Sequence, residues 1–189
     1  MYLGFDISTS IVVMSLLNKD GSINRFTSVS FTGKKFEKDL FLKTDYFIKE
    51  FNHFLGSDKD KIVDWGVEEA LKKFSAGKSS ASTIFTCASF NFGVSYNVYN
   101  ILGKKPTYIP PTTARSILDI KIPRDFPDVK SKSELKIAKK SYIVDWCTEY
   151  FNYNFDWPKN NKGKYSPKCF DMADSLVLTE ALRKKCQML

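Results

Sequence analysis

Two short, mainly apolar stretches at the start of the chain predict a β-hairpin. The segments "YLGFDIS" and "IVVMSLLN" are typical of two strands joined by a short turn, and the pair Asp20-Gly21 precedes a third strand over residues 25–31. From residue 36 to residue 55, the apolar positions instead recur at close to the helical period of about 3.6 residues. The pattern therefore predicts three strands followed by a helix.

The middle of the chain continues this alternation of strands and helices. "KIVDWGVEEAL" predicts a strand with Val63, Trp65 and Val67 on one face. "SASTIFTCASFNFGVSYNVYNIL" predicts a long helix, and "KPTYI" predicts a short strand that the pair Pro110-Pro111 closes.

Three further helices complete the pattern. "PTTARSIL" has Thr112 or Thr113 as its cap, "KSELKIAKKSYIVDWCTEYF" has Ser133, and "FDMADSLVLTEALRKK" ends in cations that suit the helix dipole. Residues 125–132 and 152–168 are predicted loops. The whole predicts one α/β domain over residues 1–189, in which a mixed sheet of antiparallel N-terminal strands and parallel strands carries helices on both faces.

Composition and charge narrow the function classes. Of 189 residues, 43% are hydrophobic and 15% aromatic, which is enough for a packed core. Lys and Arg number 29 against 21 Asp and Glu, and this excess favours an anionic partner, with nucleic acid first and an acidic membrane surface second. The sequence holds no run of 18 apolar residues and no signal segment, so we expect no bilayer span and a cytoplasmic location.

Cysteine and histidine offer no metal cluster. The four cysteines lie far apart without C-x-x-C spacing, so we expect reduced thiols and neither a disulfide frame nor a zinc site. His53 is the single histidine and is expected at the edge of a helix.

Four acids stand out by their positions. Asp6 interrupts an apolar strand, Glu68 ends a later strand, and Asp171 and Asp174 lie three residues apart on one face of the last helix. Carboxylates drawn from separate elements are the ligands that Mg²⁺ prefers, and paired metal ions serve phosphate chemistry. The alternative remains open, because a chain with 21 acids always offers four to choose and an acid near a helix start also suits the dipole.

Glu68 is preferred over its neighbour Glu69 as the metal ligand from this strand. Consecutive strand residues point to opposite faces, and Val63, Trp65 and Val67 occupy the face that Glu69 would continue. Glu68 falls on the other face with Gly66, whose missing side chain would leave room beside the metals.

The order of these motifs resembles the RuvC-type Holliday-junction resolvases. "LGFDIST" is similar to the first-strand motif of that family, "GVEEAL" to its strand ending in Glu, and "FDMADSLVLTEAL" to its C-terminal Asp-x-x-Asp helix. The first motif also occurs in sugar kinases of the actin-like fold, which need a second domain and a second phosphate loop. The short, divergent sequence looks most like phage or viral members, which would place the protein in the host cytoplasm.

The resemblance implies a ribonuclease H-like fold, a homodimer, and Mg²⁺- or Mn²⁺-dependent cutting of two opposed strands in a four-way junction. Asp6, Glu68, Asp171 and Asp174 would hold the metals, with Lys140 beside the scissile phosphate. Other nuclease substrates of the same fold, such as other branched DNA or RNA/DNA hybrids, and a non-catalytic nucleic-acid module are the alternatives.

Residues expected to contact DNA are mostly basic. The resemblance implies that Arg115 and Lys140 contact phosphates, and that a stacking aromatic follows the Glu strand, where this chain has Leu71 and then Phe74. The expected DNA-binding residues are Lys72, Lys73, Phe74, Lys78, Arg115, Lys136 and Lys140, with Lys130, Lys132 and Lys139 in the same basic cluster.

The helix over residues 83–102 is the expected dimer element. Small residues such as Ala88, Gly93 and Ser95 lie among large ones such as Phe92 and Tyr96, so a two-fold partner could pack closely against it. The same composition suits a helix buried within one subunit.

Overall fold

The computed structural model describes residues 1–36, 39–69, 80–127, 129–161 and 163–188. The strands within these ranges are β1 (Tyr2–Ile7), β2 (Ile11–Leu17), β3 (Ile23–Ser30), β4 (Asp64–Glu68) and β5 (Thr107–Ile109). The α-helices are α1 (Leu40–Leu55), α2 (Ala81–Leu102), α3 (Pro111–Ile117), α4 (Lys132–Phe151) and α5 (Pro167–Gln187). Short 3₁₀ turns cover Lys34–Phe36 and Gly56–Lys61.

The strands form one mixed sheet in the order β3-β2-β1-β4-β5. The first three strands are antiparallel neighbours, whereas β4 runs parallel to β1 and β5 runs parallel to β4. Gly4 pairs with Gly66 and Phe5 with Val67. The carboxyl ends of β1, β4 and β5 therefore meet at one edge of the sheet, which we call the site edge.

Helices cover both faces of the sheet, as predicted. The inward alternation of β1 places Leu3 and Phe5 under α1 and α2, where Phe5 meets Phe47, Phe51 and Trp65 at ring-centroid distances of 6.1, 5.7 and 5.7 Å. The opposite face carries α3, α4 and α5 over a second apolar cluster. The site edge is thus held between two packed layers.

Two glycines let α5 lie close on the sheet. A Cβ at Gly4 would collide with the Thr179 side chain, and one at Gly66 would lie 3.1 Å from the Thr107 carbonyl oxygen and 3.4 Å from Leu182. The expectation that Gly66 leaves room for metals is therefore wrong, because the packing of α5 fills that space.

Two helices begin at other residues than predicted. The first long helix starts at Leu40, where the Asp39 side chain accepts a hydrogen bond from the Leu42 amide, and Phe36 belongs to the preceding 3₁₀ turn. Pro110 precedes α3 as its cap position, so neither Thr112 nor Thr113 caps that helix.

The cap of α4 and the ends of two strands also differ from those predicted from the sequence. Ser131, and not Ser133, caps α4, because its hydroxyl accepts from the Glu134 amide while the Glu134 carboxylate accepts from the Lys130 amide. Val63 lies just outside β4 and is 39% exposed, so it does not share the buried face of that strand. The third strand runs slightly earlier than predicted, over Ile23–Ser30.

Two further expectations concerned reduced cysteines and the absence of a membrane-spanning segment. All four cysteines are free thiols. None of the helices in the described ranges combines the length and apolar character needed to cross a membrane.

Candidate active site

The structure brings the four predicted acids to the site edge. Asp6 is the last residue but one of β1, and Glu68 is the final residue of β4. Asp171 and Asp174 lie in the first half of α5, which packs across β1, β2 and β4. Two neighbouring strands and one crossing helix therefore supply the four carboxylates.

Buried hydroxyl groups fix α5 against the sheet below these acids. The Ser15 hydroxyl donates to the Ser175 carbonyl oxygen at 3.0 Å, and it lies 2.8 Å from the Ser175 hydroxyl and 2.5 Å from that of Thr179. The Ser175 hydroxyl also donates to the Gly4 carbonyl oxygen at 3.3 Å. Since Ser175 directly follows Asp174 and Gly4 lies two residues before Asp6, these bonds set the distance between the carboxylates of α5 and β1.

Asn91 on α2 holds the end of β4. Its amide nitrogen donates to the Glu68 carbonyl oxygen at 3.3 Å, and the Ser95 hydroxyl donates to the Asn91 side-chain oxygen at 3.4 Å. Neither Asn91 nor the cluster of Ser15, Ser175 and Thr179 was predicted from the sequence. The available signal was a set of polar residues within apolar helical segments, which the hydrophobic pattern alone does not explain.

Two cations lie among the acids. Arg115 Nη2 lies 3.2 Å from Asp174 Oδ1, and Lys140 Nζ lies 3.8 Å from Asp174 Oδ2 and 3.9 Å from Asp171 Oδ1. The Lys140 ammonium also sits 5.4 Å from the centre of the Phe170 ring. Arg115 Nε is buried and makes no hydrogen bond within the described residues. Both cations therefore lie beside Asp174, and Lys140 also lies near Asp171, while their predicted contacts with phosphates stay predictions.

The acids strongly affect one another's ionisation. Burial raises the pKa of Asp6 well above its ordinary value, and the charges of Glu68, Asp174 and Asp171 raise it further, against the opposing effect of Lys140. Burial and then the charge of Asp174 raise the pKa of Glu68 to about 7, although Arg115 and Lys140 act in the other direction. The pKa of Asp171 is raised by burial, which Lys140 partly offsets. Two cations therefore leave the negative charge of the cluster incompletely balanced.

The donor set suits a hard divalent cation in kind and charge. Carboxylate oxygens are the ligands that Mg²⁺ and Mn²⁺ accept. Burial first, and then neighbouring carboxylates, raise the pKa values of Asp6 and Glu68, and a bound cation would favour the ionised form of both acids. Within the described ranges, however, no three acidic, histidine or cysteine side chains already form a set that could hold a metal ion. The carboxylate of Asp174 is instead turned toward Arg115 and Lys140.

The predicted DNA-binding residues fall into two groups. Lys136 is exposed one turn before Lys140 on α4, and Lys130 and Lys132 are exposed at the start of that helix. Leu71, Lys72, Lys73, Phe74 and Lys78 lie outside the described residues, so their assignments stay predictions. Basic residues of α4 therefore continue outward from the site edge.

Comparison with known proteins supports the fold. No family model matches the chain, and no curated protein matches its sequence. Among solved structures, Thermus thermophilus RuvC matches with a TM-score of 0.63 and 11% identity, covering 99% of this chain and 95% of that chain. Thermus thermophilus RuvC in complex with a Holliday junction substrate matches with a TM-score of 0.63 and 10% identity over 99% and 94% of the two chains. The predicted RuvC-type, ribonuclease H-like fold is therefore confirmed.

Proposed function

We propose that this protein is a divalent-metal-dependent endonuclease that resolves four-way DNA junctions by paired, symmetric nicks. The observation that carries the proposal is the convergence of Asp6, Glu68, Asp171 and Asp174 at one edge of a RuvC-type sheet. One of the matching structures holds a Holliday junction substrate, which supports branched DNA as the substrate class.

The acids would hold the metal, with Mg²⁺ or Mn²⁺ as the expected ion. When bound, such ions supply Lewis acidity that activates water and stabilises the charge on the leaving oxygen. The site fits this role in donor type, and binding would require the Asp174 carboxylate to turn away from Arg115 and Lys140. Burial first, and then the charge of Asp174, raise the pKa of Glu68 to about 7, and a cation bound at these acids would stabilise the ionised carboxylates.

The two cations at the site would then bind the substrate. Lys140 and Arg115 lie within 4 Å of a carboxylate in the structure, and each can exchange that partner for a phosphate oxygen. The reaction is hydrolysis, in which the oxygen of water bonds to phosphorus as the bond to the 3′ oxygen breaks. The products are a 5′-phosphate and a 3′-hydroxyl.

A homodimer would place two such sites on opposed strands. The exposed face of α2 carries Phe85, Phe92 and Tyr96, which are 74%, 66% and 54% exposed, and the rings of Phe92 and Tyr96 stack at 6.1 Å. Large exposed aromatics on one helix face are typical of a protein interface.

The small residues of α2 contribute less to this face than expected. Ser95 is buried within the subunit, and Gly93 faces Thr44 of α1, so only Ala88 of the small residues singled out above lies among the exposed aromatics. The proposed dimer contact is therefore made mainly by aromatic side chains.

Cleavage of defined substrates tests the proposal. Purified protein is incubated with labelled four-way junction, flap, duplex and RNA/DNA hybrid, each with Mg²⁺ or with EDTA. We expect symmetric paired nicks in the junction only, and only with the metal. Equal cutting of flaps or hybrids would support another nuclease of this fold, and binding without cutting under all conditions would support a non-catalytic module.

A further inference from the structure

Lys43 is a buried cation on α1 that reaches the turn between β1 and β2. Only 8% of the residue is exposed, and its ammonium donates a hydrogen bond of 2.7 Å to the Thr9 carbonyl oxygen. The same ammonium lies 5.9 Å from the centre of the Phe31 ring. The helix therefore presents this charge to the site edge, beside the residues that directly follow Asp6 and Ile7.

No carboxylate of the described residues lies within 4.0 Å of the Lys43 ammonium, and its one side-chain hydrogen bond goes to a neutral carbonyl. Withdrawing a charge from water is costly unless an opposite charge or several hydrogen bonds replace the lost hydration. A carbonyl and an aromatic ring offset only part of that cost. The unmatched charge at this position favours an anionic ligand.

The turn itself supplies further donors for an anion. The Ser8 hydroxyl already donates to the Ile11 carbonyl oxygen at 2.9 Å, whereas the Ser10 hydroxyl, 3.1 Å from it, belongs to an exposed residue. The Ser8 amide also donates to the Ile11 carbonyl oxygen, and the amides of Thr9 and Ser10 donate to no group in the described part of the chain. The peptide between Thr9 and Ser10 is trans, so the Ser10 amide points away from the carbonyl oxygen that Lys43 contacts. The donors of this turn that can join the Lys43 ammonium at a phosphate oxygen are therefore the Thr9 amide and the Ser10 hydroxyl.

We propose that Lys43 and the Ser8–Ser10 turn bind a backbone phosphate of the DNA strand that crosses the site edge. Ser8 lies two residues beyond Asp6, which is about 7 Å along a strand. A phosphate held at the turn is thus a neighbour of the phosphate at the carboxylates. This contact deepens the proposed function, on which it rests, by adding a positioning contact on the side of the sheet opposite to α4.

The salt dependence of junction binding tests this contact. Lys43→Gln removes the charge while keeping a donor for the Thr9 carbonyl oxygen. The control Lys49→Gln removes a charge from an exposed residue of the same helix. Dissociation constants for a labelled four-way junction are measured in EDTA over a series of NaCl concentrations, and folding is checked by thermal melting.

We expect Lys43→Gln to bind more weakly and to lower the slope of log affinity against log salt by about 0.9, the contribution of one duplex phosphate contact. Lys49→Gln should keep the wild-type slope. A folded Lys43→Gln protein with the wild-type slope and affinity would overturn the proposed contact, because a lysine that only holds the turn changes stability and not counterion release.

A second variant decides the question if Lys43→Gln does not fold. Ser10→Asp places a carboxylate on an exposed residue of the turn and should weaken junction binding, whereas Ser57→Asp, an exposed serine beyond the far end of α1, should not. Equal affinity of Ser10→Asp and wild type would overturn the contact. Wild-type protein that binds the junction but never nicks it would contradict the proposed function, while the salt slopes would still test the phosphate contact.

Discussion

Asp6 and Glu68 follow a pair of register partners on adjacent parallel strands. Phe5 on β1 is aligned with Val67 on β4, so the next residue on each strand is an acid at the same edge of the sheet. The charge of Glu68 is, after burial, the largest influence that raises the pKa of Asp6. Two like charges are thus held together by backbone pairing, and the folded chain carries their repulsion.

The raised pKa of Glu68, which burial causes first and repulsion by Asp174 second, predicts how stability depends on pH when no metal is bound. The pKa of Glu68 is about 7 in the folded chain and 4.5 ordinarily, so folding favours the protonated acid. At pH values below 4.5, Glu68 is protonated in both the folded and the unfolded chain, so it does not make the free energy of unfolding depend on pH. As the pH rises from 4.5 through 7, Glu68 loses its proton in the unfolded chain before it does so in the folded chain. The free energy of unfolding therefore falls by an amount on the order of 2–3 kcal/mol.

Urea denaturation in EDTA at a series of pH values from 4.5 to 8 measures this loss. Glu68→Gln should flatten the profile and be the more stable protein at pH 8, whereas Glu69→Gln should keep the wild-type profile. Wild-type stability that rises across this pH range would contradict the assigned repulsion.

The Asp174→Asn variant separates metal binding from DNA binding. It keeps the side-chain shape but removes a charge that Arg115 and Lys140 both contact. We expect Mg²⁺-dependent nicking to fall by more than about 100-fold, because changes outside the ligand set already cost roughly 10- to 100-fold. Junction binding in EDTA should be kept or strengthened, since both cations become available to phosphate.

Asp119→Asn is the matched control for that comparison. Asp119 is exposed, forms an ion pair with Lys121, and has a positive φ of 51° that Asn also tolerates. It should leave nicking and binding unchanged. Parallel loss of nicking and binding in Asp174→Asn would mean that Asp174 is structural.

The sequence predicts the local elements well because their signals are local. The apolar stretches of β1 and β2 and the helical period of residues 40–55 reflect which residues of each element face the core. The positions of the four acids in the predicted elements made them candidates, and the resemblance of the ordered motifs supported that choice and added the ribonuclease H-like fold. The sequence led to Ser133 as the cap of α4, whereas Ser131 caps it and Ser133 lies in the first turn, because only backbone geometry selects one of two nearby serines.

Contacts between distant residues could not be predicted in this way. Ser15 and Ser175 are 160 positions apart, yet their hydroxyls form one buried cluster. Gly66 was assigned to the correct face of β4, but side chains of α5 lie beside it where metals were expected. The position of α5 across the sheet depends on tertiary packing, which the local pattern does not contain. Periodicity indicates which face a residue occupies and does not indicate what covers that face.

Gly4→Ala tests the close approach of α5. The added methyl group would collide with the Thr179 side chain beneath the site, and overpacking of this kind costs about 1–3 kcal/mol. Thr179→Ala should recover part of the loss in the double variant, because it removes the hydroxyl that the methyl group meets. Urea denaturation of the wild type, both single variants and the double variant measures the coupling. Strictly additive losses would show that the two residues do not meet.

The strongest test of the site compares the adjacent acids Glu68 and Glu69. Glu68 ends β4 beside Asp6, and the charge of Asp174 helps to raise its pKa. The Glu69 amide donates to the Ile109 carbonyl oxygen of β5. Glu69 directly follows β4, and strand alternation would place its side chain on the other face from Glu68. Glu68→Gln should abolish Mg²⁺-dependent nicking, because a neutral amide is a much poorer ligand for a hard cation. Glu69→Gln should keep most of the activity, with at most a modest change in stability. Rates for both purified variants on one four-way junction decide the matter, and an inactive Glu69→Gln beside an active Glu68→Gln would require the proposed site to be rebuilt around the other face of β4.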